Sequence, residues 1–472
     1  AHLAYSPLVV IAGAISRRDL GKDTFQEVDQ VALFAPICKR SILVTEADRL
    51  AEMLRDAMRL ALSGRRGPVV LHVPRDVFAA EVAPPAPGPI TLAQGGPPSP
   101  DDITAILDML DRAKSPVIVA GGGLKWSGGT AVLQNLAKKL EVPVVASTGH
   151  GDVMPHGHPL FAGQGGPRGN RVASRLTREA DFLLVLGARL AFNSTFLSHD
   201  YISATAKIVQ VDVEGSAVGR YFPVALGLQA DATQSAKALV SAAASRPIAK
   251  ENWAGWLRSF QADWADLMAE RAAEAADESA PMQPRRALAE IRKALPHDAI
   301  VTLDTGNACL QAADRLAHHQ APGLVTPLDF GLVGFGYAAA LGAQAAAPDR
   351  SVVSVMGDGG FGFTMAEITT AVRYKLPVVA VVLDNGAWGA EKAYQEEFFG
   401  GRLLGAEIES PAYDKVSALC GAKGFAADTA EALGQALKDA LASKEPAVIH
   451  VKIDPEALST LRKDLFKPAK SS

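Results

Sequence analysis

The chain has 472 residues, 48% hydrophobic and 21% charged, with a formal net charge of −4. A charge so near balance gives no argument for a nucleic-acid surface, and the length predicts about three domains at roughly 150 residues each. No apolar run reaches the roughly 18 residues of a spanning helix, and Cys38, Cys309 and Cys420 are too scattered for a disulfide framework or a zinc knuckle, which points to a reducing cytoplasm.

The chain opens Ala1-His2-Leu3-Ala4-Tyr5-Ser6-Pro7 and enters a buried-strand pattern at 8–12, as if a helix had begun before Ala1. A loop through Gly21 and Gln26 follows, then a helix over 46–63 whose apolar stripe is Ala47, Leu50, Met53, Leu54, Met58 and Leu60, then a strand at 68–73. Segment 1–83 therefore reads as an incomplete α/β domain. Arg17, Arg18 and Lys39 are its candidate partners for an anionic substrate group. Residues 84–100 alternate proline with glycine and alanine, the composition of a linker.

A second domain, 101–246, starts at a helix with Ser99 as N-cap, Pro100 in the first helical position, and Asp101 and Asp102 at the positive dipole end. Strands at 116–120, 143–146, 182–186 and 207–213 alternate with helical patterns, which predicts a doubly wound parallel sheet. Gly121-Gly122-Gly123 lacks the G-x-G-x-x-G spacing of a dinucleotide site. His150, His156 and His158 crowd one loop, but its glycine and proline content argues against zinc. A long helix over 253–276 leads to the third domain, 285–455, with strands at 300–303, 352–356, 378–383 and 447–452. Residues 462–472 form a polar, basic tail.

The most telling feature is a pair of oxygen ligands 27 positions apart, Asp358 in Gly357-Asp358-Gly359-Gly360 and Asn385 at the end of Val381-Val382-Leu383-Asp384-Asn385. Each follows a strand, and a helical stretch over 364–375 lies between. A right-handed crossover then brings both residues to one edge of the sheet, where ligands of open α/β sheets bind. Hard oxygen ligands suit Mg²⁺, and the glycines let backbone N–H groups approach an anion. The combination predicts a site for a metal-bound diphosphate.

This spacing resembles that of thiamine-diphosphate enzymes of the acetolactate synthase-like superfamily. Trp388-Gly389-Ala390-Glu391-Lys392, Gln395, Phe398, 407–409, 346–350 and Glu367-Ile368 are closer to the sulfoacetaldehyde acetyltransferase branch. The resemblance implies three doubly wound parallel-sheet domains: pyrimidine-binding (the first, incomplete), central, and diphosphate-binding. It implies thiamine diphosphate held by Gly306, Asn307, Gly331, Val333, Gly357, Asp358, Gly359, Gly360, Asn385, Ala387, Trp388 and Gly389. Val333 would hold the cofactor bent, and Mg²⁺ would be ligated by Asp358, Asn385 and the Ala387 carbonyl. Phe25 and Gln26 match a loop that lines the active site of a partner subunit, so a homodimer or homotetramer is expected. The segment after Gly187-Ala188-Arg189 departs from the FAD-type pattern of relatives, and FAD is not expected.

The resemblance further implies that a catalytic Glu lies within roughly 70 to 80 residues preceding Ala1 in relatives, an excess in keeping with an under-length first domain. The 472 residues alone are then expected to lack normal turnover. The implied activity is a thiamine-diphosphate- and Mg²⁺-dependent carbon–carbon lyase or transferase acting on a small 2-oxo acid or sulfoacetaldehyde. In the latter case phosphate would take the acetyl group and sulfite would leave. Acetolactate synthase, a 2-oxo acid decarboxylase and a non-catalytic cofactor-binding paralogue are the alternatives.

Overall fold

The computed structural model describes residues 1–84, 88–93 and 95–459. Four linker positions, 85–87 and 94, and the tail at 462–472 fall outside them. Residues 1–96 and 97–472 form two compact units.

The first unit is built on a parallel sheet of order β1 (Leu8–Ala14), β3 (Pro68–Pro74), β2 (Arg40–Leu43). All seven residues of β3 are buried, as the unbroken run PVVLHVP requires of a strand covered on both faces. The helix Leu50–Leu62 buries Ala57 and Ala61 and is preceded by a 3₁₀ turn, Ala47–Arg49. Two of the three candidate anion partners serve this fold instead. Lys39 Nζ donates to the carbonyls of Leu60 and Ser63 at 2.7 and 2.8 Å, satisfying orphan acceptors at the helix C-terminus. Arg17 brackets Asp76 at 2.7 Å and donates to the Thr45 carbonyl. Arg18 projects outward beside Asp19.

The second unit holds two six-stranded parallel sheets, each enclosed by one of the expected ranges. The first has order β6 (Phe161–Gln164), β5 (Val144–Ala146), β4 (Pro116–Ala120), β7 (Phe182–Leu186), β8 (Lys207–Asp212), β9 (Leu226–Gln229). Ser99 and Asp102 form a reciprocal capping box at its entry helix. The sequence pattern misses β6 (FAGQ) and β9 (LGLQ), where glycine interrupts the apolar run. The strand order reverses between β4 and β7, and Gly121 to Gly123 sit there. A Cβ on Gly121 would come 2.5 Å from the Gly187 carbonyl oxygen, and one on Gly123 would come 2.7 Å from Gly187 Cα. These glycines permit close packing of two turns.

The other sheet has order β11 (Leu324–Val325), β10 (Ile300–Leu303), β12 (Val352–Gly357), β13 (Val379–Asp384), β15 (Ala447–Lys452), β14 (Lys423–Ala427). β10, β13 and most of β12 and β15 are fully buried, whereas the edge strands β11 and β14 are short or half-exposed. The two sheets are joined by a buried ion pair. Lys125 Nζ lies 2.8 Å from Asp152 Oδ1, with side chains 2% and 0% exposed. Asp152 Oδ2 accepts the N–H groups of Gly323 and Leu324, and Lys125 donates to the Leu324 carbonyl. His150, His156 and His318 surround this pair. Burial pushes His150 and His318 down to about 3 and His156 to about 4, so all three are neutral near pH 7. Among the described residues no helix is long and apolar enough to cross a membrane.

Candidate active site

β10, β12 and β13 are adjacent and parallel, so the loops following them share one edge of the sheet. A cavity of about 200 Å³ opens there, lined by Gly306, Asn307, Gly331, Val333, Gly357 to Gly360, Asn385 and Ala387 to Gly389, among others. Every residue that the sequence assigned to the diphosphate and metal therefore lies on one wall or another of a single cavity. The strand order reverses between β10 and β12, the place where ligands enter such sheets.

The backbone explains the glycines. Gly331 and Gly334 have φ of +77° and +84°, which bend the loop before the helix Phe335–Ala346. A Cβ on Gly359 would stand 2.6 Å from the Trp388 ring, and one on Gly360 would stand 2.4 Å from Asp304 Oδ2. Only glycine lets the indole and the Asp304 carboxylate come so near. Asp304, the first residue after β10, accepts the N–H groups of Gly334 and Phe335 at 2.9 and 3.1 Å. It thereby fixes the loop that carries Val333, which is half-buried.

Asp358 is 1% exposed at the start of a short helical turn, Asp358–Gly362, rather than in an open loop. Its Oδ2 accepts from Ser410 Oγ at 2.8 Å, and its backbone carbonyl accepts from Tyr413 Oη at 2.8 Å. Its Oδ1 is buried with no hydrogen-bond partner among the described residues. Burial first, and the nearby Asp384 charge second, push the Asp358 carboxyl up to about 6, against the opposing Ser410 bond. A divalent cation at Oδ1 would satisfy the orphan oxygen and reverse both effects. Asp384 is also buried. Burial alone would raise its carboxyl, but hydrogen bonds from His450, Lys452 and the Gly386 N–H hold it well below the usual carboxylate range.

Asn385 and Ala387 face the same cavity. The Asn385 side chain makes no hydrogen bond among the described residues. Ala387 pairs with Glu407 in an antiparallel bridge whose bonds run from Trp388 N–H to the Ala406 carbonyl and from Ile408 N–H to the Gly386 carbonyl. In such a pair the N–H and C=O of Ala387 itself turn away from 406–408. The donor set of one carboxylate, one amide and one carbonyl is the hard-oxygen type that Mg²⁺ takes.

Two placements add detail to the sequence expectation. The Asn307 side chain is engaged by Ser459 and Gln311: Nδ2 donates to the Ser459 carbonyl at 2.7 Å, and Oδ1 accepts from Ser459 N–H and Gln311 Nε2 at 3.1 Å each. What Asn307 leaves for a ligand is its backbone at the start of the helix Asn307–Arg315. Phe25 and Gln26 sit in the other compact unit, on a loop where Phe25 is 88% exposed and Gln26 has φ of +66°. Glu27 braces that loop by accepting the N–H groups of Gly21 and Thr24.

Sequence reasoning missed Asp304, Asp384, Ser410, Tyr413 and His450. The position of Asp304 and Asp384 at strand ends was a usable signal; the others lie far away along the chain.

Residues 304–451 match the family "thiamine pyrophosphate enzyme, C-terminal TPP binding domain", and residues 103–239 match its central domain. The chain is also 32% identical to a sulfoacetaldehyde acetyltransferase of Alcaligenes xylosoxydans xylosoxydans, across 100% of this chain and 82% of that protein. The chain belongs to the thiamine pyrophosphate enzymes. Two further relatives bear on its place within them. A sulfoacetaldehyde acetyltransferase of Castellaniella defragrans is 32% identical over the same shares. A probable acetolactate synthase large subunit of Methanocaldococcus jannaschii is 28% identical, over 97% of this chain and 79% of its own length. Most of the residues lining the cavity lie within the matched TPP-binding region of this thiamine-pyrophosphate-dependent enzyme; Pro284, Ile453, Asp454, Ala457 and Leu458 lie outside it.

Proposed function

We propose that the protein is a Mg²⁺-dependent carbon–carbon lyase or transferase that acts on sulfoacetaldehyde or a small 2-oxo acid, with sulfoacetaldehyde acetyltransferase the favoured activity. The observation that carries the metal is the buried Oδ1 of Asp358, which has no hydrogen-bond partner among the described residues, in a cavity that Asn385 and Ala387 also line. Asp358, Asn385 and Ala387 would hold Mg²⁺. Gly306, Gly331, Gly359, Gly360 and the backbone of Asn307 would receive the diphosphate. When bound, thiamine diphosphate supplies the carbon nucleophile that attacks the substrate carbonyl. This chain's residues would position it: Val333 would support it from a loop fixed by Asp304, and Trp388, packed over Gly359, would line its site.

The cavity, at about 200 Å³, falls below the roughly 300–1,000 Å³ of pockets that enclose a whole small ligand. It is sized for the metal–diphosphate end. Phe330, Leu332 and Phe363 are 74%, 53% and 68% exposed on loops bordering it. Such an apolar rim favours burial by a second copy of the chain, whose Phe25 and Gln26 would complete the substrate pocket, in the cytoplasm.

The substrate preference rests on the two acetyltransferase relatives. Turnover with sulfoacetaldehyde, phosphate, thiamine diphosphate and Mg²⁺, however slow, should release sulfite and acetyl phosphate. Acetolactate formed from pyruvate alone, without sulfite release, would replace this reading with that of an acetolactate synthase.

A further inference from the structure

The metal ligands Asp358 and Asn385 sit on separate loops, and neither loop is rigid by itself: one is a five-residue turn with three glycines, the other passes through Gly386 at φ +65°. What fixes each of them comes from elsewhere in the chain. In the β13–β15 register Val382 lies opposite His450 and Asp384 opposite Lys452. His450 and Lys452 therefore point to the same face as Asp384 and flank it. His450 Nε2 is 2.6 Å from Asp384 Oδ2, a contact to a carboxylate that places the ring proton on Nε2, and Lys452 Nζ donates to the same oxygen. Asp384 Oδ1 in turn accepts the Gly386 N–H at 2.8 Å, which sets the turn carrying Asn385 and Ala387.

A second arm reaches the other loop from residues 410–414. Ser410 Oγ orients the Asp358 carboxylate, and Tyr413 Oη holds the Asp358 carbonyl. The arms meet: the Tyr413 ring lies 5.6 Å from the His450 ring, and Asp414 Oδ1 lies 3.6 Å from His450 Nδ1. With Ser410 on Oδ2, the remaining oxygen Oδ1 is the one left without a hydrogen-bond partner among the described residues.

We propose that His450, acting through Asp384, and Ser410, acting on Asp358, are positioning residues that set the metal affinity of this site. The inference rests on the metal reading above. Neither residue is a ligand; each holds a ligand loop in one orientation, and losing such a partner typically weakens metal binding about 10- to 100-fold.

The test is calorimetric titration of Mg²⁺ into the whole enzyme with saturating thiamine diphosphate, beside a thermal melt without metal. His450→Ala should weaken Mg²⁺ about 10- to 100-fold. His450→Gln, whose amide can donate from the Nε2 position, should stay within about threefold of wild type while melting as wild type does. Ser410→Ala should weaken Mg²⁺ about tenfold by the other arm, and it keeps the inference testable if His450→Ala does not fold. Wild-type protein that shows no Mg²⁺-dependent binding overturns the metal reading itself. Wild-type binding with unchanged affinity in folded His450→Ala or Ser410→Ala overturns only the positioning role. Equal loss in His450→Gln and His450→Ala overturns the assignment to the Nε2–Asp384 bond.

Discussion

Acid should destabilise the 97–472 unit chiefly through three histidines buried where its two sheets meet. His150, His156 and His318 are buried beside the Lys125–Asp152 pair, with folded values of about 3, 4 and 3 against an ordinary 6.5. A group whose folded value is depressed in this way is neutral in the fold and protonates on unfolding. Its contribution is complete above pH 6.5 and declines as the pH falls toward 3 to 4. Over that window each group loses about 1.4 kcal/mol per pH unit, so at pH 5 each has lost about 2 kcal/mol and the three together about 6 kcal/mol. Asp358 runs the other way. Its folded value of about 6, above the ordinary 3.8, returns on the order of 1 kcal/mol by pH 5 in metal-free protein. The net loss of about 5 kcal/mol rivals the whole stability of many proteins. Urea unfolding of the metal-free enzyme at pH 5, 6 and 7 measures it. His318 offers the sharpest variant, because neither of its ring nitrogens has a hydrogen-bond partner among the described residues. His318→Leu should flatten the net pH slope by about two-fifths, removing about 1.4 kcal/mol per unit. A stability unchanged from pH 6.5 to 5, or a full slope in His318→Leu, would refute the reasoning.

Asp358→Ala should abolish Mg²⁺-dependent thiamine diphosphate binding in calorimetry; unchanged affinity would sink the ligand assignment. Gly359→Ala places a methyl 2.6 Å from the Trp388 ring, so it should cost about 1–3 kcal/mol by overpacking and weaken cofactor binding, read by thermal melts and titration. Lys125→Met leaves Asp152 buried and unpaired; a loss of about 3–5 kcal/mol is expected in urea unfolding.

Strong periodicity made much of this molecule legible. β4, β7 and β10 coincide with the expected strands, and β12 and β13 with theirs to within a residue, because a parallel strand covered on both faces must be an unbroken apolar run. The edge strands β6, β9, β11 and β14 were not visible, since an edge needs no such run and glycine or alanine suffices. The wall of the site was legible for the same topological reason: strands adjacent in the sheet deliver their following loops to one edge. Its supports were not. Nothing near Asp358 or Asp384 in sequence announces Ser410, which reaches Asp358 from the segment before the helix Tyr413–Leu419, or His450, which reaches Asp384 from β15. Lys39 and Arg17 misled for the converse reason, because a basic side chain in sequence does not reveal the helix end or carboxylate it will satisfy.

The Lys125–Asp152 pair has a bearing on solution behaviour. β11 is only two residues long and ends its sheet. Its outward N–H and C=O groups at Leu324 are taken by Asp152 and Lys125. A sheet edge of that kind is ordinarily a template on which another chain can pair and aggregate. Here a buried charge pair occupies the hydrogen-bonding positions that a foreign strand would need, so the staple between the sheets also protects the protein against edge-to-edge association.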